Sequence, residues 1–181
     1  ALLLQVTIAF VAAADTACLS SRYQCATAPI EQRADALLAE MSIQQVIQQT
    51  WAPMSMHSPE ALLDFIGTSG VGQIAFQNVV KGDGIAARVE ARNKLQAQII
   101  AASAHGVPAS FSCESLHGAV VGGTIFPELA TQGATWDPEL IGKISSAIAK
   151  EAFAVGIDTA FSPVLNMWVD SRFGRLQEGY S

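Results

Sequence analysis

Cations are scarce in this sequence. Only 10 of its 181 residues are Lys or Arg, against 16 Asp and Glu, and the formal net charge is -6. Gripping a phosphate backbone takes clustered positive charge, so nucleic acid is excluded as a partner. No apolar run reaches the roughly 20 residues that a membrane-spanning helix needs, which excludes a stable span. Cysteine is rare too, with 3 residues, and neither they nor His57, His105 and His117 fall at metal-ligand spacing, so no metal is expected. The glycine signatures of cofactor loops are missing. Gly70-Val71-Gly72 lacks the third glycine of a dinucleotide site, and no phosphate-loop Gly-Lys-Ser/Thr occurs. Without a Gly-x-Ser-x-Gly elbow, a Ser-His-Asp hydrolase of that type is excluded as well. No cofactor is expected.

What is present is apolar substance: half of the residues are hydrophobic, enough to bury a sizeable core in one domain of ordinary length. Ala1 to Ala14 (ALLLQVTIAFVAAA) has the length of a secretory h-region, with small residues at its end as a cleavage zone. The alternative is a buried N-terminal strand or helix. The initiating Met and a basic n-region are missing, so the chain is expected to be clipped at its start. Residues 1–28 read as a signal-like leader and N-terminal extension, and 29–181 as the folded domain. A secreted location would let Cys18 and Cys25 form a local bridge, the alternative being two unpaired thiols. Cys113 closes an apolar run and reads as a buried, inert thiol.

The domain opens with helices. Pro29 suits a first helical turn, and Ile30, Ala34, Leu37, Leu38 and Met41 recur at helical spacing. Ser42 is an N-cap for a second helix with Ile43, Val46 and Ile47 on one side. Pro59 opens a short helix that buries Leu62, Leu63 and Ile66 and stops at Gly67. Three apolar strand candidates follow: Val71 to Phe76, Ala109 to Cys113, and a buried strand after Gly156 closed by Pro163. Between them lie two long helices, 85–104 and 138–155. The second starts at Asp137 as cap, with Pro138 and Glu139 in its first turn. The order βαβαβ demands parallel strands. Both a doubly wound sheet and part of a (β/α)8 barrel fit it.

Polar residues follow each strand, as they would at a barrel's catalytic face or a sheet's switch point. Glu114 directly follows the second strand and precedes His117-Gly118. A carboxylate there is placed to accept hydrogen bonds from ligand hydroxyls; a solvated loop Glu is the competing reading. Arg175, with Glu178 three residues on, offers paired donors for hydroxyls, with a structural salt bridge as the competitor. Asp170 and Arg172 read as loop architecture, an Asp before a turn bonding backbone amides. Gathered carboxylates also invite Glu114 with Asp170 or Glu178 as a glycosidase pair.

Several motifs stand in a recognisable order. They are Arg33 to Ser42, Gly70-Val71-Gly72, Glu114-Ser115-Leu116-His117-Gly118, Thr124-Ile125-Phe126-Pro127, Ala134-Thr135-Trp136-Asp137-Pro138-Glu139-Leu140, Phe161 to Leu165, and Asp170-Ser171-Arg172-Phe173-Gly174-Arg175 with Glu178. Over about residues 30–181 the chain resembles the N-terminal barrel domain of glycoside hydrolase family 3, the β-glucosidase and β-xylosidase group. The resemblance implies the N-terminal part of a (β/α)8 TIM-type barrel, incomplete in this chain. It also implies exo-acting, retaining hydrolysis of terminal β-linked glucose or xylose, with an oligosaccharide or β-glycoside as partner. It assigns substrate binding to Glu114 and Arg175, with His117, Asp170 and Glu178 in support, and thereby overrules the Glu114–Asp170 pair. It places no catalytic residue in this chain: the nucleophile and acid/base are expected beyond Ser181. A non-catalytic sugar-binding fragment is the alternative. Glu114 stands where many β-glucosidases carry Asp, and its longer reach favours a pentose. Ser171 replaces the usual Pro and Phe173 the usual Trp. The Glu-Gly-Gly type motif of the N-acetylhexosaminidase branch is absent.

Overall fold

The computed structural model describes residues 22–53, 57–119, 121–166 and 169–180. Nearly all of the leader, Cys18 included, lies outside them. Two units divide the chain, Ala1–Ile47 and Gln48–Ser181.

In the first unit a 3-10 turn, Arg22–Gln24, precedes helix α1, Ile30–Glu40. Arg33 Nε donates to the Tyr23 carbonyl at 2.8 Å and so ties the two together. Pro29 is the N-cap of α1, one place before the first turn predicted for it. Cys25 is buried and disulfide-bonded. Helix α2, Ile43–Gln49, whose last two residues belong to the second unit, begins with a reciprocal cap. Gln45 N–H donates to Ser42 Oγ at 3.3 Å and Ser42 N–H to Gln45 Oε1 at 2.7 Å, so each satisfies an end group of the other.

The second unit carries the core. Helix α3, Pro59–Ile66, is capped by Ser58 Oγ, which accepts from Ala61 N–H at 3.1 Å, and it ends at Gly67 with φ +48°. That positive φ suits glycine, which has no Cβ to clash. Leu62 and Ile66 face inward one turn apart. Strand β1, Gln73–Ala75, runs into a short helix α4, Phe76–Val79. Helix α5, Ile85–Ala102, returns the chain to β2, Ser110–Glu114. Helices α6, Leu129–Gly133, and α7, Pro138–Ala154, lead to β3, Thr159–Phe161. The strands form one parallel sheet in the order β1-β2-β3, with Ile74 opposite Phe111 and Cys113 opposite Ala160. This is the predicted α/β alternation.

Three boundaries differ from expectation. Phe76, assigned to the first strand, turns into α4, where its ring packs edge-on against Phe111 at 6.1 Å between centroids. Glu114 is the last residue of β2, paired with Phe161, rather than the first residue after it. β3 is shorter than expected and not buried, because among the described residues it has a neighbour on one edge only. Parallel strands read as continuous apolar runs when both faces are covered, and here the run Gly156 to Leu165 overstates the cover.

The core gathers Leu62 and Ile66 of α3, Leu95 and Ile99 of α5, Ile74, Phe111 and Cys113 of the sheet, and Ala152 of α7. Polar clamps set where each helix delivers its strand. Gln96 of α5 makes two hydrogen bonds to the residue before β2, donating to Ala109 O at 2.8 Å and accepting from Ala109 N–H at 3.1 Å. Asp158 does the same before β3. Its N–H donates to Phe111 O at 2.8 Å, and its Oδ2 accepts from Phe111 N–H at 2.9 Å. Arg92 of α5 donates to Gly156 O at 3.2 Å, lies 3.4 Å from Asp158 Oδ2, and covers the Phe111 ring at 4.5 Å. Asp137 Oδ1 caps α7, accepting from Leu140 N–H at 2.9 Å, as predicted.

Phe111 is thus fully buried under a cation and against an aromatic edge. Phe111→Ala should cost about 3–5 kcal/mol, and Asp137→Ala about 1 kcal/mol. Urea titration followed by circular dichroism checks both, and equal costs would contradict this placement of the core.

Candidate functional site

The loop leaving β2 folds back on itself immediately. At Gly118 a Cβ would meet Thr124 O at 2.4 Å, so only glycine allows that approach. Phe126 N–H donates to His117 O at 2.6 Å, and His117 Nδ1 lies 2.9 Å from Phe126 O. A carbonyl can only accept, so Nδ1 carries a proton. His117 Nε2 stands 3.4 Å from Glu128 Oε1 and donates there when the ring is protonated. His117 is thereby held as part of the loop's frame, with one edge at the site.

The wall opposite comes from the segment after β3. Val164 makes a parallel bridge to Gly179, which brings residues 170–178 back beside the strand ends. Asp170 and Arg172 pair within this segment. Asp170 Oδ1 accepts from Arg172 N–H and from Arg172 Nε, both at 2.9 Å, and Oδ2 contacts Arg172 Nη2. Those bonds, side chain first and backbone second, hold the Asp170 carboxyl below its usual range. Arg175 is set by a 3-10 turn, Leu176–Glu178, and by a two-pronged pair with Glu178. Its Nε donates to Glu178 Oε1 at 2.8 Å and its Nη2 contacts Oε2. The bond to Arg175 lowers the Glu178 pKa. The same bond, then the charge of Glu178 and to a smaller extent that of Glu114, raises the Arg175 pKa.

Between these walls lies an open cavity of about 630 Å³ lined by, among others, Arg88, Glu114, His117, Ile125, Arg175 and Glu178. Four of the five residues singled out from sequence therefore meet at one place. The fifth, Asp170, is not among the lining residues and is engaged with Arg172. The Glu114 carboxylate has no hydrogen-bond partner among the described residues, so it is available to a ligand. Arg175 keeps 63% of its side chain exposed despite the pairing, while Glu178 keeps 18%. The acid supports and the guanidinium presents.

Sequence reasoning missed three participants. Glu128 backs His117. Arg88 lines the cavity from the first turn of α5, and a cation there is unfavourable to the helix dipole, a signal that could have drawn notice. Glu151, near the end of α7, accepts from Thr124 N–H and Thr124 Oγ1, both at 2.7 Å, across 27 residues. It pins the glycine loop 122–124, which separates the cavity from a second one of about 470 Å³ lined by Ile85, Ala119, Val121, Glu151 and Val155. Among the described residues no group of three or more His, Cys, Asp or Glu is arranged for a metal ion.

An acid and an arginine presented where parallel strands end suit a hydroxyl-rich ligand. The chain belongs to glycosyl hydrolase family 3, whose N-terminal domain pattern matches residues 40–181. It is 31% identical over 170 residues to a putative beta-xylosidase of Formosa agariphila, covering 89% of this chain and 22% of that protein. It is 31% identical over 90 residues to a lysosomal beta glucosidase of Dictyostelium discoideum, covering 49% of this chain and 11% of that protein. Among solved structures, a β-glucosidase of Erythrobacter marinus superposes with a TM-score of 0.71 at 26% identity, covering 90% of this chain and 22% of that one. The chain thus spans about a fifth or less of the length of these relatives.

Three carboxylates of the site region, Glu151, Asp170 and Glu178, have lowered pKa values from bonds they make when folded. As pH falls the unfolded chain takes up those protons first, so stability falls with pH in that window. The contribution is complete above the ordinary values, 4.5 for Glu and 3.8 for Asp, and is lost as pH drops through the folded ones. Thermal melts should therefore show Glu151→Gln closing part of its gap to wild type below pH 4.5. A gap independent of pH would contradict the Thr124 bonds as its cause.

Proposed function

We propose that this chain supplies the terminal-sugar pocket of an exo-acting, retaining β-glycosidase for β-linked glucose or xylose. In this reading residues 29–181 are the N-terminal part of a (β/α)8 barrel. The observation that carries it is the convergence of Glu114 and Arg175 on one cavity, the first with a carboxylate open to ligand and the second locked by Glu178. A sugar hydroxyl can donate to Glu114 and accept from Arg175, so the pair fixes the ring by opposite hydrogen-bond polarity. The Arg175–Glu178 pair holds the guanidinium in advance, which lowers the ordering cost on binding. His117 contributes through the loop it frames and Asp170 through the loop it shares with Arg172.

In this reading 29–181 binds and orients the sugar, and the residues that break the bond are not among Glu114, His117, Asp170, Arg175 and Glu178. The extra methylene of Glu114 relative to Asp shortens the pocket and favours a pentose. A secretory location is supported by the apolar leader and by the disulfide at Cys25, since such bonds persist in oxidising compartments.

Isothermal titration of the purified chain with methyl β-D-xyloside and methyl β-D-glucoside tests the reading. Both should bind, with xyloside the tighter. Glu114→Ala and Arg175→Ala should each weaken binding about 10- to 100-fold, the range for a charged hydrogen bond. An aryl β-glycoside should bind without turnover. A folded chain with no affinity for either glycoside would refute the proposal, and measurable hydrolysis would refute the division of labour.

A further inference from the structure

The cavity holds two guanidinium groups, and only one is accounted for. Arg175 is held by Glu178 through its Nε and one terminal nitrogen. Arg88 reaches the same cavity from α5, and its Nε donates to Gly82 O at 3.2 Å. Its two terminal nitrogens have no hydrogen-bond or ion-pair partner among the described residues. The loop before α5 is folded around this arginine. At Gly82 a Cβ would meet the backbone of Ala87 at 2.9 Å and of Arg88 at 3.0 Å, so only glycine lets the carbonyl approach the guanidinium. The cation also sits in the first turn of α5, where the helix dipole disfavours it. A local arrangement thus holds a cation in the first turn of its helix, half-buried, in the wall of the cavity that Glu114 also lines.

We propose that Arg88 is a substrate-binding and specificity-determining residue, donating to a sugar hydroxyl other than the one Arg175 binds. The role rests on the sugar-pocket reading above. The charges of the lining fit a neutral ligand: Arg88 and Arg175 balance Glu114 and Glu178. Removing Arg88 would leave Glu114 as an uncompensated anion facing the ligand, with one less donor for its oxygens. The pairing of Arg88 donors with Glu114 as acceptor lets one ring be held at two further positions, which Arg175 alone cannot do.

The test uses methyl β-D-xyloside and its mono-deoxy analogues, titrated into the wild-type chain, Arg88→Met and Arg88→Lys, each first shown folded by circular dichroism. Arg88→Met should weaken the parent glycoside about 10-fold. For one deoxy analogue, the one lacking the hydroxyl that Arg88 reads, wild type and Arg88→Met should bind alike, while the loss persists for the others. Arg88→Lys, which keeps a cation within reach of the Gly82 carbonyl, should recover part of the affinity, and it serves alone under the same criterion if Arg88→Met does not fold. Equal affinity of variant and wild type for the parent glycoside overturns the proposal, as does an equal loss on every analogue, which would mark a structural role. No binding by the folded wild type removes the sugar pocket itself and Arg88's role with it.

Discussion

Asp158 decides how the last strand meets the rest. Its backbone and its carboxylate both bond Phe111, which fixes β3 beside β2 in a single register. Arg92 closes the junction from α5 by holding Gly156 and Asp158 and lying over the Phe111 ring. Three elements, α5, β2 and β3, are so joined at one buried aromatic. A slip of one residue would reverse which side chains face the core. It would also move Glu114 off its place opposite Phe161, and the return segment that carries Arg175 would no longer meet it. The site therefore depends on an ion pair and a ring at the opposite end of the sheet from its own chemistry.

The pocket works by contrast between its paired and open groups. Glu178 occupies Arg175 on one side, and the remaining donors point outward. The Phe126 carbonyl occupies His117 Nδ1, and Glu128 stands beside Nε2. Glu114 is left open. Groups that are already satisfied give the wall its shape, and the open ones give it selectivity, because a polar group left unpaired on binding is costly.

Much of this was legible in the residues. Asp137-Pro138 and Ser42 announce helix starts because end groups need side-chain partners, and both caps form. The parallel order follows from helices interposed between strands. Glu114 and Arg175 stood out because charge next to an apolar strand end has to be used. Phe76 is buried as its run implied, but burial does not say whether the backbone is strand or helix, and β3 is less covered than its run implied because burial depends on what else packs there. Arg88 and Glu151 were missed because their partners lie in backbone carbonyls and in a loop 27 residues away, which local spacing does not reveal. The leader was the least accessible, and its Cys18 lies outside the described residues.

Gly123 and Glu151 form a lock whose two halves sit on different elements. A Cβ at 123 would come within 2.5 Å of the Glu151 carboxylate that clasps Thr124. The carboxylate is the far end of a flexible side chain, so a small side chain at 123 is met by a shift of Glu151 at the expense of its Thr124 bonds, with the backbone left in place. The two positions are coupled through one shared set of bonds, and the effect of a change at either depends on what stands at the other.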